Sequence, residues 1–377
     1  MEPSPPNPTP TAAAWRWAVP LLAASMAVAG ILAVRPIVAN DGDVAAVLRV
    51  GRYSASRAVV EQDLPDPPMT DDYGHDGQQF YALARAFPDL ADAEDDVDKL
   101  RYRSRRIVLP VLAAPFPDGA PRAWAMVGWN VVAIGAAAVA MGALARRCGV
   151  TPWVGLAVAV SPGLVDSAQG ALADAPAVAL ALWGVVLCRT RPWAAGVLLA
   201  LGGLARETTL TAAAGAALGA RAWRSAAVAV GAVVAWTAVI TAWLPPSDKT
   251  NTNNLVVDLL DQVSVPFTGW AAVGWTSGEA MVGALLLVCS LGAAWELRHR
   301  LPELAWWLVL DAALLVVADQ GVASRAANLA RVAPLALPAA VLALGVARRR
   351  QRDGTTTTDQ VQDSRQQAGD RSGPATT

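Results

Sequence analysis

Apolar residues in this chain fall into long runs, separated by short turns that carry arginine. The first run, Trp15 to Val34, has membrane length. Further runs follow at 123–145, 150–166, 171–188, 192–205, 207–220, 224–244, 278–296, 303–318 and 332–347. Together they predict an all-α polytopic membrane protein with about ten crossings. The runs 192–205 and 207–220 are short for spans of about twenty residues, so they predict a hairpin with Arg206 and Glu207 at its apex.

Between these runs the chain is polar. Residues 1–14, MEPSPPNPTPTAAA, and the Thr/Gln/Ser/Gly-rich tail 351–377 predict disorder. Arg35-Pro36 after the first run is unlike a small-residue cleavage site, so 15–35 reads as a retained transmembrane helix rather than a cleaved signal. Residues 36–106 form a loop of roughly seventy residues, long enough to expect either function or disorder. It holds helical stretches (44–49, 76–87), a Pro-rich link (64–68), an acidic run (Asp92–Asp98) and RYRSRR at 101–106. Residues 107–350 form the multi-helix membrane domain.

The stretch Tyr73 to Phe87, YGHDGQQFYALARAF, concentrates the candidate chemistry. A helix starting near Asp76 places Phe80, Leu83, Ala84 and Phe87 on one face, with Asp76 at its head. Asp76 followed by Gln79 fits a capping box. A carboxylate heading an apolar face at a membrane surface also fits a group kept for chemistry. The two roles are compatible.

Composition supports the membrane reading: 54% of residues are hydrophobic, only 16% are charged, and the mean hydropathy is +0.37. Fifteen Trp against four Phe and four Tyr suit interfacial belts. The turns with Arg146-Arg147, Arg189/Arg191, Arg221/Arg224, Arg298/Arg300 and Arg348–Arg350 fall on one side when the runs alternate. The positive-inside rule makes that side cytoplasmic, with both termini inside a plasma membrane and 36–106 outside. Cys148, Cys188 and Cys289 lack CxxC spacing and read as small apolar thiols. With two histidines in the chain, a histidine-built metal centre is disfavoured. No metal ligands are assigned, and a divalent cation stays open as a cofactor. Membrane lipids are expected partners, nothing predicts a nucleic-acid partner, and protein partners are not specified.

Four charged features collect on the outer side: Asp76, RYRSRR, Arg206-Glu207, and Arg325 with Arg331. External arginines beside spans oppose the orientation rule. One explanation is a lipid-linked phosphate, which guanidinium binds as a planar fork. The other is neutralisation of Asp92, Glu94, Asp95, Asp96 and Asp98. Arg206-Glu207 equally fits a local ion pair. Asp166 and Asp174 are possible second carboxylates, Asp174 also fitting an N-cap. Asp41-Gly42-Asp43 imitates a metal-binding DxD but fits a cap before 44–49 better.

YGHDGQQFYALA followed by RYRSRRIVLPVLA resembles the "YDGQFYY…RYRRILYP" signature of bacterial multi-spanning membrane proteins with a GT-C-like glycosyltransferase architecture, linked to cell-surface glycopolymer formation. RETTL, 206–210, is similar to their "RE/KE-T" element. His75 stands where the family has Tyr and Gln79 where it has an aromatic, while Asp76, Gly77, Gln78 and Tyr81 match. The resemblance implies transfer from a lipid-linked sugar donor, a polyprenyl phosphate sugar, at the outer face. Asp76 would be the catalytic base. His75, Gln78, Tyr81, Arg101, Arg103, Arg105, Arg106, Arg206, Glu207, Arg325 and Arg331 would bind substrate. The competing expectations are a transporter or flippase for a lipid-linked saccharide and a non-catalytic envelope-assembly protein. A transporter usually places ionisable groups near the bilayer midplane in repeated halves, and no internal repeat is seen.

Overall fold

The computed structural model describes residues 15–245, 278–317 and 326–352, and these are mostly helical. The expected disordered segment 1–14, the candidate Arg325 and the expected disordered tail 351–377 beyond Arg352 lie outside the described residues, while Gln351 and Arg352 of that tail end a helix. Among the described residues, four helices are long and apolar enough to cross a membrane: Ala18–Ala39, Ala120–Arg147, Trp223–Trp243 and Gly278–Leu297. The pair Ala326–Val332 and Ala336–Arg352, bent by 57°, makes a fifth if it is one span. Val230, Val234, Val239, Met281, Leu285 and Val288 leave apolar faces of two of these helices uncovered, which suits contact with lipid rather than water.

The other apolar runs form shorter elements. The run 150–166 is broken into pieces ending in Pro162–Gln169, because Pro152 and Pro162 each open a new helical turn. Asp174–Leu187 and Pro192–Ala205 have fourteen residues each, about 21 Å of rise against a hydrocarbon core of about 30 Å. Among the described residues, four or five helices thus reach full crossing length, beside shorter apolar helices. The hairpin is present, with Pro192–Ala205 and Leu210–Ala220 joined through a short 3-10 turn at Glu207–Thr209.

Ala120–Arg147 is the central post, packed against Ala18–Ala33 on one flank and Asp174–Leu187 on another. Small residues permit close packing where apolar side chains alone give little specificity in lipid. A Cβ on Gly215 would lie 2.6 Å from the Glu303 carbonyl oxygen, so Leu210–Ala220 rests directly on the backbone of Pro302–Val316.

The loop 36–106 is a folded cap rather than a disordered connection. It contains helices at Arg57–Asp63, Asp76–Ala86 and Leu100–Arg103, and a parallel strand pair in which Val50 faces Met69 and Gly51 faces Thr70. Leu48, Phe80, Tyr81, Leu83, Leu90, Val97 and Leu100 are buried in one core with the membrane helices. Phe87, expected on the buried stripe, closes the helix and is exposed. Asp43 caps the turn Val44–Leu48, its Oδ1 accepting from the Ala45 amide at 2.8 Å. The cap reading of Asp41-Gly42-Asp43 is the one observed.

Candidate functional site

The motif YGHDGQQ is largely a docking device for the helix it opens. Gln78 is fully buried, its Oε1 accepting from Gly51 N at 3.1 Å and its Nε2 donating to Tyr73 O at 2.7 Å. Gln79 does the same for the acidic run, its Oε1 accepting from Asp98 N at 3.0 Å. Gly77 lies so close to Gly170 that a Cβ would sit 2.3 Å from the Gly170 carbonyl oxygen. Tyr81, also fully buried, donates to Asp63 Oδ2 at 2.9 Å and accepts from Gly119 N at 2.6 Å. Gln78 and Tyr81 are therefore buried and hold the cap in place. Their polar atoms are consumed internally.

Asp76 does not act as the cap of its helix. His75 occupies the N-cap position and makes no side-chain capping bond. The Asp76 carboxylate turns instead to RYRSRR: Arg103 Nη1 donates to Oδ1 at 2.5 Å and Arg106 Nη1 to Oδ2 at 3.2 Å. Arg331 Nη2 stands 3.9 Å from Oδ2. Burial pushes the Asp76 carboxyl up, but the guanidiniums of Arg103 and Arg106 outweigh it and hold it well below the usual carboxylate range.

The arrangement extends into a network of side chains distant in sequence. Arg106 Nε donates to Glu207 Oε2 at 2.9 Å and its Nη2 to the Tyr102 hydroxyl at 2.5 Å. Glu207 is likewise depressed: burial opposes ionisation, and Arg106 overrides it. Arg206 pairs with Asp174, and Arg331 Nε donates to Asp174 Oδ2 at 3.1 Å. Arg206 and Glu207 thus diverge to separate partners, which corrects the local ion pair. Asp174 is the first helical residue, behind Ala173, so the N-cap reading is also replaced by ion pairing. Asp166 is held by Arg49 at 2.8 Å.

The four arginines of RYRSRR have separate fates. Arg101 donates twice to the Leu244 carbonyl, at 2.8 and 2.6 Å. Arg103 joins Asp76 to Asp98, and Asp98 is the member of the acidic run that these arginines neutralise among the described residues. Arg106 joins Asp76 to Glu207. Arg105 makes no ion pair among the described residues, and its Nε is buried without a hydrogen-bond partner. An orphaned buried donor of this kind calls for a ligand or water.

Two participants escaped the sequence reading. Arg49 lies in the cap and reaches Asp166 across 117 positions, a separation no local pattern reveals. Asp311, buried within Pro302–Val316, accepts from Thr211 Oγ1 at 2.8 Å. It lines a small cavity with Asp174, Arg206 and Arg331. A lone acid inside the apolar run LVLDAALLV was the available signal. No group of three His, Cys, Asp or Glu side chains gathers in metal-binding geometry among the described residues.

The chain matches no family model, no curated protein and no solved structure. Function is therefore read from the site.

Proposed function

We propose that this protein is a membrane glycosyltransferase of GT-C-like architecture, taking a sugar from a polyprenyl-phosphate donor at the outer face for a cell-envelope glycopolymer or glycolipid. The observation that carries this reading is the meeting of the Asp76 carboxylate with Arg103 and Arg106, beside an Arg105 whose buried Nε has no hydrogen-bond partner among the described residues. In the proposed step the acceptor hydroxyl oxygen attacks the anomeric carbon. The bond from that carbon to the phosphate oxygen breaks, its electron pair leaves on polyprenyl phosphate, and the hydroxyl proton passes to Asp76. Arginines stabilise the departing phosphate. Donor phosphate competes with Asp76 for Arg103 and Arg106, so binding it restores basicity to a carboxylate otherwise neutralised by its partners.

The test is incubation of the purified protein with a panel of polyprenyl-phosphate sugars and an acceptor extract, reading release of polyprenyl phosphate. Release with one donor class, reduced by about two to four orders of magnitude in Asp76→Asn, is the expected result; folded protein that releases none from any donor overturns the reading. Asp311, an ionisable group well inside a helix, favours a second reading, transport of a lipid-linked saccharide. Movement of a labelled lipid-linked saccharide across reconstituted vesicles, without release of polyprenyl phosphate, would select it.

A further inference from the structure

A second site lies away from the arginine network. Between Gly278–Leu297 and Pro302–Val316 is a cavity of about 390 Å³, open at the surface, within the size range of small-ligand pockets. Its walls are apolar, including Leu291, Trp295, Ala305, Trp306 and Val309, and Arg298 stands at its rim. The Arg298 guanidinium carbon lies over the Trp295 ring, 3.7 Å from its centroid, and the group donates to the Trp295 carbonyl. Arg298 is exposed and makes no ion pair among the described residues. Nearby Arg300 is engaged with the Cys148 carbonyl, and Glu303 with Arg189.

We infer that this groove binds an anionic phospholipid, one acyl chain lying in the apolar cleft and the phosphate paired with Arg298. Three observations converge on that occupant. The cleft borders a helix of membrane-crossing length, so its surroundings supply acyl chains. Trp295 and Trp306 are exposed at its mouth, and indoles favour the level of lipid headgroups. The Arg298 cation, which has no ion pair among the described residues, is positioned over Trp295 and complements a phosphate, the pattern of basic pockets between membrane helices. The site rests on membrane insertion and not on glycosyl transfer. By the arginine-rich turns it faces the cytoplasmic leaflet, opposite the Asp76 network.

The experiment is native mass spectrometry of the full chain in detergent with added phosphatidylglycerol or phosphatidylcholine of identical chains. Wild type is expected to retain one phosphatidylglycerol about fivefold more strongly than phosphatidylcholine, the effect of one basic residue at a membrane surface. Arg298→Gln removes that preference and leaves the two lipids equal. Ala305→Phe and Val309→Phe, which fill the cleft independently, each weaken both lipids, provided gel filtration shows a monodisperse protein. Arg221→Gln, an arginine in another turn, leaves the preference intact. Preference persisting in Arg298→Gln, equal retention of both lipids by wild type, or wild-type retention in both filled variants overturns the inference. Protein that stays monodisperse without detergent would instead overturn membrane insertion itself.

Discussion

Arg106 spans the gap between the cap and the hairpin, its Nε donating to Glu207 Oε2 at 2.9 Å although the two residues are 101 positions apart. Both side chains are mostly covered, so the pair works at reduced screening and fixes the orientation of RYRSRR. Glu207→Gln is expected to lower the thermal midpoint by leaving Arg106 short of a charge partner. In a double-mutant cycle with Arg106→Gln the coupling should be about 1–3 kcal/mol. Additive losses would mean that the contact does not join the two segments.

Asp76→Asn should reduce transfer by about two to four orders of magnitude, because an amide cannot take the acceptor proton. Near-native transfer would move the base elsewhere, to Asp166 or Asp174 before Asp43, whose carboxylate is occupied in capping. The change is not silent in stability, since Arg103 and Arg106 lose their shared anion.

That stability difference has a defined pH dependence. The folded Asp76 carboxyl lies below its unfolded value of about 3.9, because Arg103 and Arg106 override burial. The stabilisation is therefore fully present above that unfolded value and is lost as pH falls from there through the folded value. Unfolding midpoints of wild type and Asp76→Asn should differ by a constant amount from about pH 5 to 7 and converge in stronger acid. A gap that widens on acidification would refute the assigned ion pairing.

Arg105→Gln separates binding from folding within RYRSRR. Arg105 has no ion pair to lose among the described residues, so the midpoint should move by less than about 0.5 kcal/mol equivalent. Donor affinity should fall about tenfold if its guanidinium meets phosphate, measured by titration with a polyprenyl-phosphate sugar. Arg103→Gln should do the reverse first, lowering stability through Asp76 and Asp98.

Gly77→Ala tests how the cap is seated. Its Cβ would meet the Gly170 carbonyl oxygen, so the helix Asp76–Ala86 must shift away from the membrane helices. A loss of about 1–3 kcal/mol, with faster proteolysis within 36–106, is expected. Wild-type protease resistance would show that the contact can relax.

The orientation is open to cysteine labelling. A cysteine introduced at Asp92 should react with an impermeant reagent on intact cells, and one at Arg348 should react only after lysis. The opposite pattern would place the Asp76 network on the inner side.

The sequence by itself determined the helical class, the membrane character and the start of the helix at Asp76. These follow from local pattern: runs of apolar residues, arginine in the turns, and a polar break before Phe80. It also brought forward Asp76, Arg103, Arg106, Arg206, Glu207 and Arg331 before any contact was known. Which of them meet was decided only in three dimensions, because partners such as Arg331 and Asp174 lie 157 positions apart. The internal partners of Gln78 and Tyr81 became visible only there for the same reason. A polar side chain in a motif carries no mark of which distant backbone amides it will accept from, here those of Gly51 and Gly119. Helix length was likewise a tertiary matter. Mean hydropathy registers apolar residues in fourteen-residue helices as readily as in full spans, and only the folded chain shows where a new helix opens at proline and where other helices cover it.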